Sequence, residues 1–455
     1  MPVVRRTLAA TAALAAGALA LTLAPSATAT TTTASATARP DLGREVLGAR
    51  DGWAAAEGGT TGGSAADADH VFHVRTWEEF RAALGGDAAR GDTTARIVYV
   101  HGKIDANLRT PTGAVDCDAY EVDGFDVQDY VDAYAPEVWG TEAEPSGPLE
   151  DARAASAAVQ EAQVRQHVGS NVTIVGVGRD AQITGAALTV RGSDNVIVRN
   201  LRLSDAYDCF TAWDPTDGDA GAWNAAYDNL WIAESTHVWV DHTTFDDGEN
   251  PPSSLPEVYG VKFEVHDGLL DITNSADLVT ASWNEFRDHD KTNLVGSSNS
   301  RVADRGKLRV TFHHNLWEDI GQRAPRVRYG DVHVYNNYYV QRDAGSYAYS
   351  WGVGVEAEIV AENNFFALSR DVDPAGVVVD WRGTTTAGSG LQEFGTLLNG
   401  IARRNRVSLV AAHNATSDVD IPTTVSWDPV LHERIHPTAA VPALVTAWAG
   451  SGRLR

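Results

Sequence analysis

A basic segment interrupts a chain that is otherwise acidic. The 455 residues include 36 lysines and arginines against 61 acids, a net charge of -25. Between Arg287 and Arg328, however, nine basic residues face five acids, so this window carries a net charge of +4. A local positive field of this kind is what recognition of an anionic substrate requires. Ordinary surface ion pairs are the alternative, and composition alone does not decide between the two.

Three aspartates just upstream are candidates for a metal site: Asp228, Asp267 and Asp271. If the fold brings their carboxylates onto one face, they form an oxygen-rich site for a hard cation. Calcium suits such a site because it accepts flexible shells of carboxylate and water oxygens. The spacing is not that of an EF-hand, and histidines and cysteines are not grouped as zinc ligands are. From the spacing alone, three unrelated aspartates remain the alternative.

The overall charge restricts the classes of partner. A chain this acidic is repelled by nucleic acid and by anionic membrane surfaces, so we expect neither as a partner. The same self-repulsion opposes association, and we expect a monomer. A hydrophobic share of 43% is enough for a large core. Because the chain as a whole repels anions, an anionic substrate has to bind at the local basic window.

The N-terminus has the pattern of a secretory signal peptide. Arg5 and Arg6 precede an apolar run from Leu8 to Leu23, and small residues follow as far as Ala38. The apolar run is shorter than the ~20 residues that a membrane-spanning helix needs. We therefore predict a signal peptide over residues 1–38 and a secreted, extracellular protein over 39–455. The sequence leaves the export route open.

The chain has two cysteines, Cys117 and Cys209. In an exported protein an even pair favours a disulfide, and the alternative is two buried thiols. The residues are too far apart for a redox motif, so the predicted bond has a structural role.

The rest of the chain predicts stacked short strands. Similar β-branched runs end in an aromatic residue or leucine: Asn195–Leu203, His237–Phe245, Leu278–Phe286, Leu308–Trp317, Val332–Tyr339 and Glu358–Phe366. The first four closing residues, Leu203, Phe245, Phe286 and Trp317, are 42, 41 and 31 positions apart, which suits one coil of strands plus a variable loop. Asparagines such as Asn336 and Asn363 can then form amide ladders between coils. A β-sandwich is the alternative, but its hairpin signals are sparse here.

Several motifs together resemble one family. They are WVDH at Trp239–His242, DGLLDITN at Asp267–Asn274, DHDK at Asp288–Lys291 and RAPRVRYG at Arg323–Gly330. In this order they resemble the calcium-dependent pectate lyases of bacteria and plants. The resemblance implies an all-β fold: a single-stranded right-handed parallel β-helix with long surface loops and a few short helices. We expect residues 39–455 to form one such catalytic domain with a C-terminal arm.

The resemblance also implies the ligands of a calcium ion. The aspartate thirteen positions before that of WVDH matches Asp228, and the acids of the DGLLD segment match Asp267 and Asp271. Some relatives place a further acid two positions before the first ligand, where this chain has Ala226. The predicted cofactor is calcium, with one contact fewer than in those relatives.

The remaining site residues follow from the same resemblance. The DHDK lysine matches Lys291 and the end of R-x-P-x-x-R matches Arg328, which both imply contacts with substrate carboxylates. Arg323 matches the catalytic base. β-Elimination removes the C5 proton of a galacturonate unit and expels the C4 oxygen, giving 4,5-unsaturated oligogalacturonates from α-1,4-linked polygalacturonate. Arginine is ordinarily always protonated, so Lys291 is the second choice of base.

Three other functions compete with this prediction. A pectin lyase acts on a methylated, neutral substrate and does not need the aspartates or Lys291. A hydrolase of the same polymer needs paired carboxylates facing the sugar, whereas these acids flank a basic cluster. A non-catalytic polysaccharide-binding β-helix should lack a convergent lysine and two arginines beside a cation site.

Overall fold

The described part of the chain coils into rungs of short parallel strands. The structure is a computed structural model that describes residues 41–454, so the predicted signal peptide lies outside the described residues. The rungs contribute their strands to three parallel stacks. The first stack has eight strands: Arg165–His167, Ala187–Arg191, Leu230–Ala233, Leu270–Thr273, Leu294–Val295, Arg326–Val327, Trp351–Gly354 and Val378–Trp381.

The second and third stacks are joined, because two long strands run through both. The second contains Val71–Val74, Arg96–Asp105, Val172–Thr184, Asp194–Arg199, Thr236–Asp241, Asp277–Ser282, Val310–His313, Asp331–Tyr335, Glu358–Glu362 and Gly390–Phe394. The third adds Arg202–Ser204, Thr244–Asp246, Glu285–Arg287, Leu316–Glu318, Tyr338–Gln341, Phe365–Leu368 and Leu397–Leu398. This architecture confirms the predicted parallel β-helix.

The closing residues of the repeated runs stack along the inside of the third stack. Phe245 lies on Phe286 at 5.1 Å between ring centroids, and Phe286 lies on Trp317 at 5.4 Å. Tyr339 and Phe366 continue the column at 4.8 and 4.2 Å. Burial of such side chains is the main stabilising term of the core. The irregular spacing in the sequence therefore corresponds to a regular spacing in the fold.

An asparagine ladder runs beside this column. The side-chain oxygens of Asn284, Asn315, Asn337 and Asn364 each accept from a backbone N–H of the preceding rung, at 2.8–3.0 Å. All four are fully buried. The predicted ladder therefore exists. Its members are Asn337 and Asn364 rather than the expected Asn336 and Asn363, which adopt a left-handed backbone at the corner.

Helices occur mostly outside the rungs. They are α1 (Trp77–Leu84), α2 (Val127–Ala133), α3 (Pro136–Trp139), α4 (Pro148–Val164), α5 (Leu409–Asn414) and α6 (Val441–Trp448). Two small antiparallel hairpins, Ala212–Asp214 with Ala222–Asn224 and Glu257–Val258 with Val261–Lys262, belong to the loops. The C-terminal α6 packs on the third stack against Leu316, Tyr338 and Phe365. None of the helices within 41–454 is long and apolar enough to cross a membrane.

The structure joins Cys117 to Cys209 in a disulfide. It ties the loop after strand Arg96–Asp105 to the loop after Arg202–Ser204. We expect the double variant Cys117→Ser/Cys209→Ser to lose about 4–5 kcal/mol of unfolding free energy, since the bond closes a long loop. Denaturant unfolding measures this change. Cleavage at 25 °C should stay near normal, and two free thiols in native secreted protein would contradict the assignment.

Candidate functional site

The first stack brings the predicted site residues onto one face. Asp228 lies two residues before strand Leu230–Ala233, and Asp271 lies within strand Leu270–Thr273. Lys291 pairs through its backbone with Gly268 on one side and Gln322 on the other. Arg323 follows Gln322 directly, and Arg328 comes directly after strand Arg326–Val327. Consecutive parallel strands lie about 4.8 Å apart, so residues distant in sequence become close neighbours.

Two of the aspartates converge on a single glycine. The Gly268 N–H donates to Asp228 Oδ1 at 2.7 Å, and the Leu294 N–H donates to Asp271 Oδ1 at 2.9 Å. A Cβ atom at Gly268 would lie 2.6 Å from both carboxylate oxygens. The absence of a side chain at Gly268 therefore leaves a cradle lined by two carboxylates.

The carboxylates destabilise one another as anions. Burial, together with the charges of Asp271 and Asp267, raises the pKa of Asp228 well above its ordinary value. Burial and the charge of Asp267 raise the pKa of Asp271 to about 7. Asp271 is buried and Asp228 half-buried, so two anions side by side here are unfavourable without a cation, and a bound cation removes that cost.

The donor set fits a hard divalent cation. The atoms available as ligands are carboxylate oxygens of Asp228 and Asp271, and they line a cradle that a Cβ atom at Gly268 would fill. Asp267 is different, since its side chain is 39% exposed and lies 3.8 Å from Lys291 Nζ. Within residues 41–454 no three acidic, histidine or cysteine side chains already meet at one point. Binding by all three aspartates therefore requires Asp267 to turn from Lys291 towards the other two.

The basic residues occupy the neighbouring rung. Arg328 is buried, with Nε donating to Asn299 Oδ1 at 2.7 Å and Nη1 to the Gly296 carbonyl at 2.9 Å. Burial, together with Arg326 and Arg323, lowers the pKa of Arg328 to about 10. No carboxylate of the described residues makes a salt bridge to Arg328. Its charge is therefore available to an incoming anion.

Arg323 stands beside the carboxylates with its backbone in the left-handed region, at φ 62°. It is half-buried, and its Nε has no hydrogen-bond partner among the described residues. No described acid makes a salt bridge to it either. A non-glycine residue in this conformation is uncommon and is held by its surroundings. The fold thus presents an unpaired guanidinium at a fixed position between the aspartates and Arg328.

Sequence reasoning missed a buried network beneath the site. His289 Nδ1 contacts both carboxylate oxygens of Asp247 at 2.8 Å, and its Nε2 lies 2.9 Å from the Asp267 carbonyl oxygen. Both partners are acceptors, so His289 donates from both nitrogens as an imidazolium. Burial opposes that charge, but Asp247 raises the pKa of His289. This network fixes the backbone of Asp267, and its only signal in the sequence is the histidine within DHDK.

Comparisons with known proteins agree with the geometry. A family model described as pectate lyase matches residues 144–417. The pectate lyase of Bacillus subtilis (strain 168) is 42% identical over 417 residues, which cover 91% of this chain and 94% of the relative. Pectate lyase E of Dickeya chrysanthemi is 36% identical over 326 residues, which cover 71% of this chain and 68% of the relative.

Solved structures give the same result. A thermostable pectate lyase, PL 47, is 43% identical with a TM-score of 0.87, covering 91% of this chain and 100% of its own. A pectate lyase bound to a hexasaccharide is 40% identical with a TM-score of 0.83, covering 91% and 100%. The resemblance that the motifs indicated is confirmed. With this fold and these relatives over nearly its whole described length, the chain belongs to the pectate lyase family.

Proposed function

We propose that this pectate lyase cleaves α-1,4-linked polygalacturonate by calcium-assisted β-elimination and releases 4,5-unsaturated oligogalacturonates. One observation carries the proposal: two mutually repelling aspartates, Asp271 buried and Asp228 half-buried, lie beside arginines that make no salt bridge to a carboxylate among the described residues. The carboxylates suit a cation, and the arginines suit an anion. A polymer that carries one carboxylate on each sugar, bridged to the protein through a cation, satisfies both. The hexasaccharide bound by a relative supports a polysaccharide substrate.

Each residue of the site has a role in this reaction. Asp228, Asp267 and Asp271 hold calcium, which when bound neutralises a substrate carboxylate and so acidifies the neighbouring C5–H bond. Lys291 and Arg328 bind substrate carboxylates and fix the sugar. Arg323, in its unprotonated form, accepts the C5 proton. The electrons of that C–H bond form the C4=C5 double bond, the C4–O bond breaks, and the departing oxygen takes a proton from solvent.

The same residues argue against the competing functions. A methylated substrate presents a neutral ester, for which three aspartates and Lys291 serve no purpose. A hydrolase needs two carboxyl groups on opposite sides of the scissile bond, whereas these cluster around Gly268. Lys291, 3.8 Å from Asp267, remains the second choice of base within the same reaction.

Release of unsaturated product from polygalacturonate, followed by ultraviolet absorbance with and without chelator, tests the proposal. We expect cleavage that stops with chelator and returns with added calcium. Full activity in excess chelator contradicts calcium dependence. Products without ultraviolet absorbance indicate hydrolysis, and preference for methylated substrate indicates a pectin lyase.

The pKa of Asp271 predicts how calcium affects stability. Its folded value of about 7 exceeds the ordinary value of 3.8, so the folded state binds the proton more tightly than the unfolded state. Without calcium, this carboxyl group therefore destabilises the fold increasingly as pH rises from about 4 to about 7. We expect calcium to raise Tm more at pH 8 than at pH 5, because protons compete with the metal. Thermal melts at both pH values with calcium or chelator measure this, and equal increases contradict it.

We also infer that residues 1–38 are removed on export and that the mature enzyme acts outside the cell as a monomer. The N-terminal pattern and the net charge of -25 support this. N-terminal sequencing of secreted protein and light scattering test it. A retained N-terminus or a stable dimer contradicts the respective part.

A further inference from the structure

One stacked arginine near the proposed site differs from all the others. Six guanidinium groups lie over aromatic rings in the described part of the chain, and five of them also make salt bridges with carboxylates: Arg165, Arg191, Arg199, Arg305 and Arg309. Arg326 lies 4.0 Å above the centre of the Trp381 ring, the shortest of the six distances. It alone has no salt-bridge partner among the described residues. An acidic protein thus leaves this cation unpaired.

The first stack holds Arg326 against Trp381 by means of a glycine. Arg326 pairs with Gly352 on the next strand, and Gly354 of that strand pairs with Trp381 on the strand beyond. A Cβ at Gly352 would lie 3.0 Å from Arg326 Cγ and 3.0 Å from a ring carbon of Tyr349. The missing side chain therefore lets Arg326 reach across one strand to Trp381.

The stacked pair continues the line of the proposed substrate site. Arg326 is three residues after Arg323 and two before Arg328, and Trp381 is two strands further along the stack. At about 4.8 Å per strand, Trp381 lies on the order of 10 Å beyond the Arg326 strand. Trp381 as a whole residue is 38% exposed although a guanidinium covers part of its ring. The Nε of Arg326 and the hydroxyl of Tyr349 are buried without hydrogen-bond partners among the described residues.

We propose that Trp381 and Arg326 form a further subsite for an acidic sugar unit of the polymer, outside the residues that carry out the elimination. The exposed part of the Trp381 ring packs against the apolar face of the sugar, and the guanidinium of Arg326 pairs with the carboxylate of that unit. This inference rests on the proposed function, because only an anionic polysaccharide supplies both groups. The subsite binds longer chains more tightly and adds nothing for chains too short to reach it.

A purely structural stack predicts a different behaviour. Cation–π pairs at exposed positions stabilise a fold only weakly, so Trp381→Ala lowers Tm slightly in either case. If the pair only supports the fold, the loss of activity is the same for every substrate length. If it binds substrate, the loss grows with chain length and appears in KM, since the chemistry at Arg323 is unchanged.

The test compares kcat and KM of wild type, Trp381→Ala, Trp381→Phe and a control on oligogalacturonates of increasing length and on polygalacturonate. The control is Trp448→Ala, because Trp448 is 53% exposed on α6, which packs on the third stack rather than the first. We expect Trp381→Ala to lose about tenfold in kcat/KM on long chains, on the scale of one good contact, and to match wild type on the shortest cleaved chain. Phenylalanine should restore most of the loss.

Equal losses at every length, or a long-chain effect no larger than that of Trp448→Ala, overturn the subsite. Wild-type protein that releases no unsaturated product from polygalacturonate overturns the proposed function first, and the subsite with it. Near-wild-type Tm values show that each variant is folded.

Discussion

Replacement of Arg323 by lysine is expected to lower turnover by at least about 10²-fold while KM changes little. Lysine keeps the positive charge but is shorter and lacks the planar fork of guanidinium, so it cannot reach the same atom in the same direction. The fold holds the guanidinium of Arg323 in place and leaves it without a counter-ion. Its backbone is left-handed, its side chain is half-buried, and it has no carboxylate partner among the described residues. Steady-state kinetics on polygalacturonate at saturating calcium give both parameters.

The matched control is Arg328→Lys, in which the same chemical change is made five residues away. Arg328 is held by Asn299 and the Gly296 carbonyl, and its proposed role is to bind a carboxylate. The Arg328→Lys substitution should therefore mainly raise KM and change kcat little. Near-normal turnover of Arg323→Lys would mean that Arg323 is not the base, and that Lys291 or solvent removes the proton instead. The lyase reaction itself would still stand.

The sequence predicted the strand columns well because each rung repeats the same local pattern. A β-branched run followed by polar residues and an aromatic residue defines a strand, a corner and a buried column. The pattern aligns Phe245, Phe286 and Trp317 correctly although their spacing in the chain varies. The variable loops were the obstacle. Their lengths do not show which residues of neighbouring rungs meet, so site residues could be assigned only through motifs.

The supports of the site were harder to predict than its charged residues. His289 is one histidine among several, and only the fold shows that it lies between Asp247 and the Asp267 carbonyl. Gly268 is one of 41 glycines, and nothing local distinguishes it. Both residues act through partners from other rungs. A sequence pattern shows which chemical groups are present. It does not show which rungs bring two backbones close together, and this appears only in the structure.

The largest expected effect on the cation site comes from Gly268→Ala. The new Cβ would lie 2.6 Å from an oxygen of Asp228 and 2.6 Å from an oxygen of Asp271, closer than such atoms approach in proteins. The two carboxylates must move apart, although the N–H of residue 268 that bonds Asp228 remains. We expect the calcium concentration for half-maximal activity to rise at least about tenfold, on the scale of a disturbed ligand environment. Turnover should recover in part at high calcium by mass action.

Gly376→Ala provides the comparison for this variant. Gly376 also lacks a left-handed backbone, and a Cβ there meets nothing within 4 Å, so the substitution changes composition without crowding. Calcium titrations of activity and of Tm measure the effect. The calcium concentration for half-maximal response should be near the wild-type value in Gly376→Ala and higher in Gly268→Ala, in both titrations. An unchanged calcium requirement in Gly268→Ala would mean that the cation binds away from this cradle. A shift in both titrations, with normal folding in chelator, would locate the cation between Asp228 and Asp271, because the three atoms nearest the new Cβ all belong to these two carboxylates.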